Sequence, residues 1–181
     1  FVDVLSLNID FERSFGFNNE LYYGVELVGN QVDSRAKSTN IVSGQVSSES
    51  TRYPDGGSTY NSAAAYLSLK NELSQKLILS SGLRYSFVKI NPKFEDRSFY
   101  DFPYDEIDLA NGALNGSLGL VYLPNKNWKL NALVSSGFRS PNIDDIGKVF
   151  DSEPGVVIVP NPELKPETSY NFEYGINAQF D

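Results

Sequence analysis

The chain has 181 residues, and 15 Lys and Arg against 23 Asp and Glu give a formal net charge of −8. One sizeable core fits that length, and the acidic balance, with no basic patch, excludes a nucleic-acid partner. Cys, His and Met are absent, which removes disulfides, thiolate chemistry, Cys-ligated zinc, the Ser-His-Asp triad and a proximal haem His. The lack of an initial Met leads to the expectation of a mature chain or a fragment. No apolar run approaches the ~18 residues of a transmembrane helix, and no signal peptide is seen.

The dominant signal is alternation. Leu5, Leu7, Ile9 and Phe11 alternate with Ser6, Asn8, Asp10 and Glu12, predicting a strand over 2–12. Leu21, Tyr23, Val25 and Leu27 mark the next, over 20–33, and Ala63, Ala65, Leu67 and Leu69 a third, over 60–72. Leu77, Leu79, Leu83, Tyr85 and Phe87 predict 77–90; Leu114, Leu118, Leu120 and Tyr122 predict 113–123. Trp128, Leu130, Ala132, Val134 and Phe138 predict 128–138, with Leu133 an exception on the polar side. Tyr170, Phe172, Tyr174, Ile176, Ala178 and Phe180 predict 170–180. A helix would scatter each set around its circumference, whereas a strand places it on one face.

These strands exceed the usual five or six residues of globular sheets and match the ~9–11 tilted residues that cross a bilayer. Short links at 13–19, 73–76 and 124–127 alternate with long ones at 34–59, 91–112 and 139–169, as periplasmic turns and extracellular loops do. Phe11, Tyr122, Trp128 and Phe180 lie near the short-turn end, and Phe87, Phe138 and Tyr170 near the long-loop end, as two interfacial girdles. The fold class expected is all-β: an antiparallel up-and-down meander of about seven long strands, a partial segment of a transmembrane β-barrel. Residues 1–181 form one such segment. Alternation alone leaves open a general porin without a plug and a soluble β-sandwich for binding or adhesion.

Residues 137–142 read Gly-Phe-Arg-Ser-Pro-Asn, and residues 159–167 read Val-Pro-Asn-Pro-Glu-Leu-Lys-Pro-Glu before the last strand. The pair resembles the late barrel region of TonB-dependent outer-membrane receptors, where an FRAP-like box ends one strand and an NP-x-L-K-P-E box opens the next. The resemblance implies a plugged barrel of about 22 strands in the outer membrane of a Gram-negative bacterium. It also implies import of a scarce nutrient such as a ferric siderophore, haem, cobalamin or a glycan. The partners implied are outer-membrane lipid, a nutrient ligand at the extracellular loops, and TonB acting through a region absent from this chain. Transport makes and breaks no bond, so neither an enzyme activity nor a cofactor is expected. Phe138, Arg139, Pro141, Asn161, Pro162, Leu164, Pro166 and Glu167 are the family-motif residues, expected to be structural. Pro141 has no N–H to continue a ladder, and Pro160, Pro162 and Pro166 stiffen the approach to the last strand. Arg139 is placed to pair with Glu167 or Glu173.

Loop 91–112 concentrates Glu95, Asp96, Asp101, Asp105, Glu106 and Asp108, and loop 139–169 adds Asp144, Asp145, Asp151 and Glu153. Neither has the spacing of a calcium loop, and both read as solvated acidic loops. Around loop 34–59, Arg52, Tyr53 and Tyr60 are the candidate ligand contacts, since Arg and Tyr grip anionic, aromatic chelates by charge and stacking. The boxes Phe138-Arg139-Ser140-Pro141 and Asn161-Pro162-Glu163-Leu164 each depart by one residue from those of haem receptors in the resembled family. Residues 142–160 contain neither His nor Tyr, so this segment is expected not to ligate haem. A siderophore-like chelate or another small nutrient is the expected substrate.

Overall fold

The computed structural model describes residues 1–16 and 18–180. In chain order it contains β1 (Val2–Phe15), β2 (Asn19–Val32), β3 (Ala36–Thr39), β4 (Val46–Glu49), β5 (Ser58–Ser74) and β6 (Leu77–Asn91). Then come β7 (Leu109–Asn125), β8 (Trp128–Arg139), α1 (Ile143–Gly147), β9 (Phe150–Glu153), β10 (Val156–Ile158) and β11 (Glu167–Ala178). The long strands form one 7-stranded sheet in the order β1-β2-β5-β6-β7-β8-β11, every adjacent pair antiparallel.

All seven predicted strands are present, most of them longer than the alternation indicated. The last runs from Glu167 to Ala178 rather than 170–180, because Glu167 already pairs with Arg139 and Ala178 is the last to pair, with Trp128. The long links, residues 33–57 (L1), 92–108 (L2) and 140–166 (L3), contain structure that the sequence reading treated as loop. β3 and β4 form a hairpin in L1, and β9 and β10 form another in L3. α1 is a five-residue turn closed by a capping box: Asn142 Oδ1 accepts the Asp145 N–H at 2.8 Å, and Asp145 Oδ2 accepts the Asn142 N–H at 3.0 Å. A ladder of four residues or a single helical turn is too short to print a period on the sequence.

The register lines up the apolar residues. Leu7 opposes Leu27, Tyr23 opposes Leu67, Leu67 opposes Leu83, Leu118 opposes Val134 and Val134 opposes Phe172. One face of the sheet is therefore a continuous apolar surface, with Phe172 77% and Tyr174 89% exposed. Water would make such a face costly, whereas hydrocarbon does not. Among the described residues no helix is long and apolar enough to cross a membrane.

The opposite face is polar and cross-linked. Lys70 Nζ lies 3.3 Å from Glu20 Oε1, and Arg84 Nη2 lies 3.0 Å from Glu26 Oε1. Tyr66 reaches across β2 to donate its hydroxyl to Asp10 Oδ1 at 2.6 Å. Gly24, between them in the register, makes this possible. A Cβ there would stand 2.7 Å from Asp10 Oδ1 and 2.9 Å from the Tyr66 ring.

β1 and β11 each pair on one side only, so the sheet has two open edges within this segment. Expressed alone, the 181-residue segment should require detergent or self-associate, because unpaired strand edges and an uncovered apolar face both recruit partners. Analytical ultracentrifugation without detergent checks this; a compact monomer would contradict it.

Candidate ligand-capture site at the loop end of the sheet

The buried apolar core does not lie at mid-sheet. It comprises Val88 and Ile90 from the end of β6, Phe94, Phe102 and Ile107 from L2, and Ile143, Ile146 and Val149 from α1 and its flank. Tyr60, Leu109, Phe138 and Leu164 pack against it. The expectation of solvated acidic loops is thus corrected in part. The carboxylates of L2 do face outward, Asp108 onto Lys89 at 3.0 Å and Glu106 towards Lys93 at 3.9 Å. The apolar residues between them turn inward, since burying them offsets the entropy of ordering a long loop.

Cross-loop hydrogen bonds complete the unit. L1 is joined to L2 by the Gly56 N–H on the Lys93 carbonyl at 2.9 Å. The Asp55 carboxylate accepts the N–H groups of Glu95 at 2.8 Å and Asp96 at 3.1 Å. L1 is joined to L3 by the Val149 N–H on the Arg52 carbonyl at 2.9 Å. All three loops meet at Gly147, where a Cβ would lie 2.6 Å from Pro54 Cγ and 3.2 Å from Pro92 Cβ. Pro54 and Pro92 are fully buried. The Ser98 hydroxyl and amide hold the Asp96 carboxyl below its ordinary range.

The candidate contacts separate here. Arg52 is turned onto L3: its guanidinium lies 3.3 Å from Asp144 Oδ1 and 5.0 Å from the centroid of the Phe150 ring. Tyr60 sits against the buried cluster. Tyr53, 43% exposed, lines an open cleft of about 370 Å³ between L1 and L2. Arg35, Lys37, Glu49, Asp55, Phe99 and Tyr100 share that cleft. Sequence reasoning had not drawn Asp55, Phe99 or Tyr100 to a site.

The motif residues come together around α1. Arg139 spans three elements, with Nη2 at 2.6 Å from Asp145 and Nη1 at 3.0 Å from Glu167, its direct partner in the β8–β11 register. Glu173 instead accepts from Asn171. Pro141 and Pro160 are buried, and the Asn161 N–H donates to the Ile146 carbonyl at 2.9 Å. Pro162, Pro166 and Lys165 lie on the stretch between that bond and β11. Phe138, placed in the aromatic girdle by alternation, packs against the loop cluster. Phe87 and Tyr170 remain exposed at the same end, and Trp128 meets Phe180 edge-on at 6.0 Å at the other.

A family model described as TonB dependent receptor-like, beta-barrel, matches residues 2–181. The chain belongs to that family. This TonB-dependent receptor segment is 29% identical over 102 residues to Hemoglobin-haptoglobin utilization protein B of Neisseria meningitidis serogroup C, a match covering 54% of this chain and 12% of that protein. Among solved structures it resembles the copper transporter OprC with a TM-score of 0.74 at 16% identity, covering 99% of this chain and 28% of OprC. The FrpB iron transporter of Neisseria meningitidis (F5-1 variant, apoprotein form) gives 0.67 at 19% identity, covering 99% and 27%. The segment thus spans a small part of the length of its relatives. Membership separates it from the porin and sandwich readings that alternation left open. Receptors of this family are outer-membrane proteins of Gram-negative bacteria, in which barrel strands carry an outward-facing apolar band.

Proposed function

We propose that this chain is one sector of an outer-membrane import barrel, and that L1, L2 and L3 contribute to the surface on which a scarce nutrient is captured before it enters the periplasm. The observation that carries the reading is the position of the core. A strand meander in lipid has no need of a buried cluster in its loops, yet here the cluster holds a cleft with aromatic and charged walls open at the loop end. In this reading the motif residues Phe138, Arg139, Pro141, Asn161, Pro162, Leu164, Pro166 and Glu167 brace the loops, and Tyr53 with Arg35 and Lys37 faces the ligand. TonB supplies the energy through parts of the receptor outside this chain, and no enzymatic step is involved.

The nutrient proposed is a small iron chelate. The similarity to a protein named for haemoglobin-haptoglobin use favours haem iron as a second reading. Under it, haem would have to be ligated by residues outside this chain or by a Tyr, because the chain has no His. Growth of an iron-starved receptor-deletion strain complemented with the full-length gene, on ferric siderophore or haemoglobin as sole iron source, separates the two. Growth on siderophore alone supports the chelate. Growth on haemoglobin, with a Soret shift that survives shortening of L3, supports haem bound elsewhere. Rescue on no iron, copper or haem source defeats the import reading.

A further inference from the structure

Arg52 makes three kinds of contact across one join. Its carbonyl accepts the Val149 N–H, its guanidinium faces both oxygens of Asp144 at 3.3 and 3.5 Å, and its Cζ lies over the Phe150 ring, 5.0 Å from the centroid. Asp144 belongs to α1, and Lys148 Nζ approaches the same Oδ2 at 4.0 Å. A planar, permanently charged fork suits this double task of pairing and stacking, which an ammonium does not reproduce. The carbonyl contact would survive any side-chain change, whereas the other two depend on the guanidinium alone. We infer that Arg52 is a positioning residue that clamps L1 to L3, so that the loop end of this sector is one preformed body and not three independently moving loops.

The consequence concerns capture. The cleft between L1 and L2 has its L2 wall tied to Asp55, three residues from Arg52, and Val149 of L3 at its margin. Fixing L1 on L3 therefore fixes the shape of the cleft before any ligand arrives. A ligand then meets a surface whose ordering cost is already met, which favours tight binding by pre-organisation. Half of the Arg52 side chain is exposed, so its ion pair is weak and screened by salt. The stacking and the backbone bond keep the join in place at physiological ionic strength. This inference gives a purpose to the capture surface proposed above and rests on that reading for its meaning. Its test needs no nutrient, so the two can fail separately.

The experiment uses the full-length receptor in lipid vesicles, with spin labels at the exposed positions Glu49 in β4 and Glu153 in β9, read by pulsed dipolar spectroscopy. The unaltered sequence should give one narrow distance. Arg52→Ala should broaden the distribution about twofold, as a locally opened segment does, and Asp144→Asn should broaden it less. The double variant should be no broader than Arg52→Ala, because the two groups serve one contact. Arg52→Lys should fall between, keeping charge without the fork. Potassium chloride at about 1 M should widen the unaltered receptor slightly and leave Arg52→Ala unchanged. A broad distribution in the unaltered receptor overturns the inference, and so does an Arg52→Ala distribution as narrow as the parent's. Heat-modifiable migration on gels reports whether the wall is folded. Should Arg52→Ala lose it, Asp144→Asn with the salt series decides, and absence of any widening in both overturns the clamp.

Discussion

Replacing Ile146 by Asp should open the loop cluster while leaving the barrel wall standing. Ile146 is fully buried on α1, among Ile90, Ile143 and Val149, and the Arg139 and Lys148 charges nearby are directed to Asp145, Glu167 and Asp144. A carboxylate there would lie in apolar surroundings without a partner. A buried, uncompensated charge of this kind costs roughly 3–5 kcal/mol, and protonation would relieve only part of it. Ile146→Val, by contrast, should cost only about 0.5–1.5 kcal/mol. Hydrogen exchange and limited proteolysis of the full-length receptor are the measurements. Amides of L2 and of residues 143–161 should lose protection in Ile146→Asp, with those of β6, β7 and β8 unchanged. Equal protection of the loops in both variants would mean that the cluster does not hold them.

The second large effect lies on the sheet. Leu118 and Ser117 are neighbours on β7, but Leu118 opposes Val134 on the apolar face and Ser117 opposes Ser135 on the polar one. Arg at position 118 should destabilise the folded receptor by about 2–4 kcal/mol, the cost of a cation near the bilayer midplane. Arg at position 117 should change stability by well under half of that, because it enters the lumen beside polar groups. Urea titration of the receptor refolded into vesicles gives both values. Similar costs at the two positions would show that the faces are assigned wrongly, and a larger cost at Ser117 would invert them. Spin labels at Leu118, Val134 and Tyr174 should report hydrocarbon in the same preparation.

Much of this fold was legible because its signal is local. In a strand lining a membrane, each residue's environment is set by its parity, so Tyr170, Phe172, Tyr174 and Ile176 announce a face without reference to any other strand. The meander order followed from the same run of up-and-down links. The Gly-Phe-Arg-Ser-Pro-Asn and Asn-Pro-Glu-Leu-Lys-Pro-Glu boxes also indicated the family before any geometry was known. Register required one more step, and Arg139 with Glu167 shows it: the two were proposed as partners, and the pairing of β8 with β11 chose Glu167 over Glu173.

The loops obeyed a different logic. Phe94, Phe102, Ile107, Ile143, Ile146 and Val149 share no single period, the i, i+3 pair Ile143 and Ile146 being too short to announce a helix, and they are buried together across as many as 55 positions from Phe94 to Val149. Arg52 read as a candidate ligand contact in an exposed loop, and Asp144, 92 residues away, gave it an internal partner. Phe138 had the parity of a girdle ring, yet at the strand end it packs against the loop cluster. The sequence by itself determined which residues share the apolar face along the middle of each strand and which share the polar one, because that choice is made between adjacent residues on one strand. Only the tertiary structure decided which loop residues bury one another, because that choice depends on three distant segments converging at one end of the sheet.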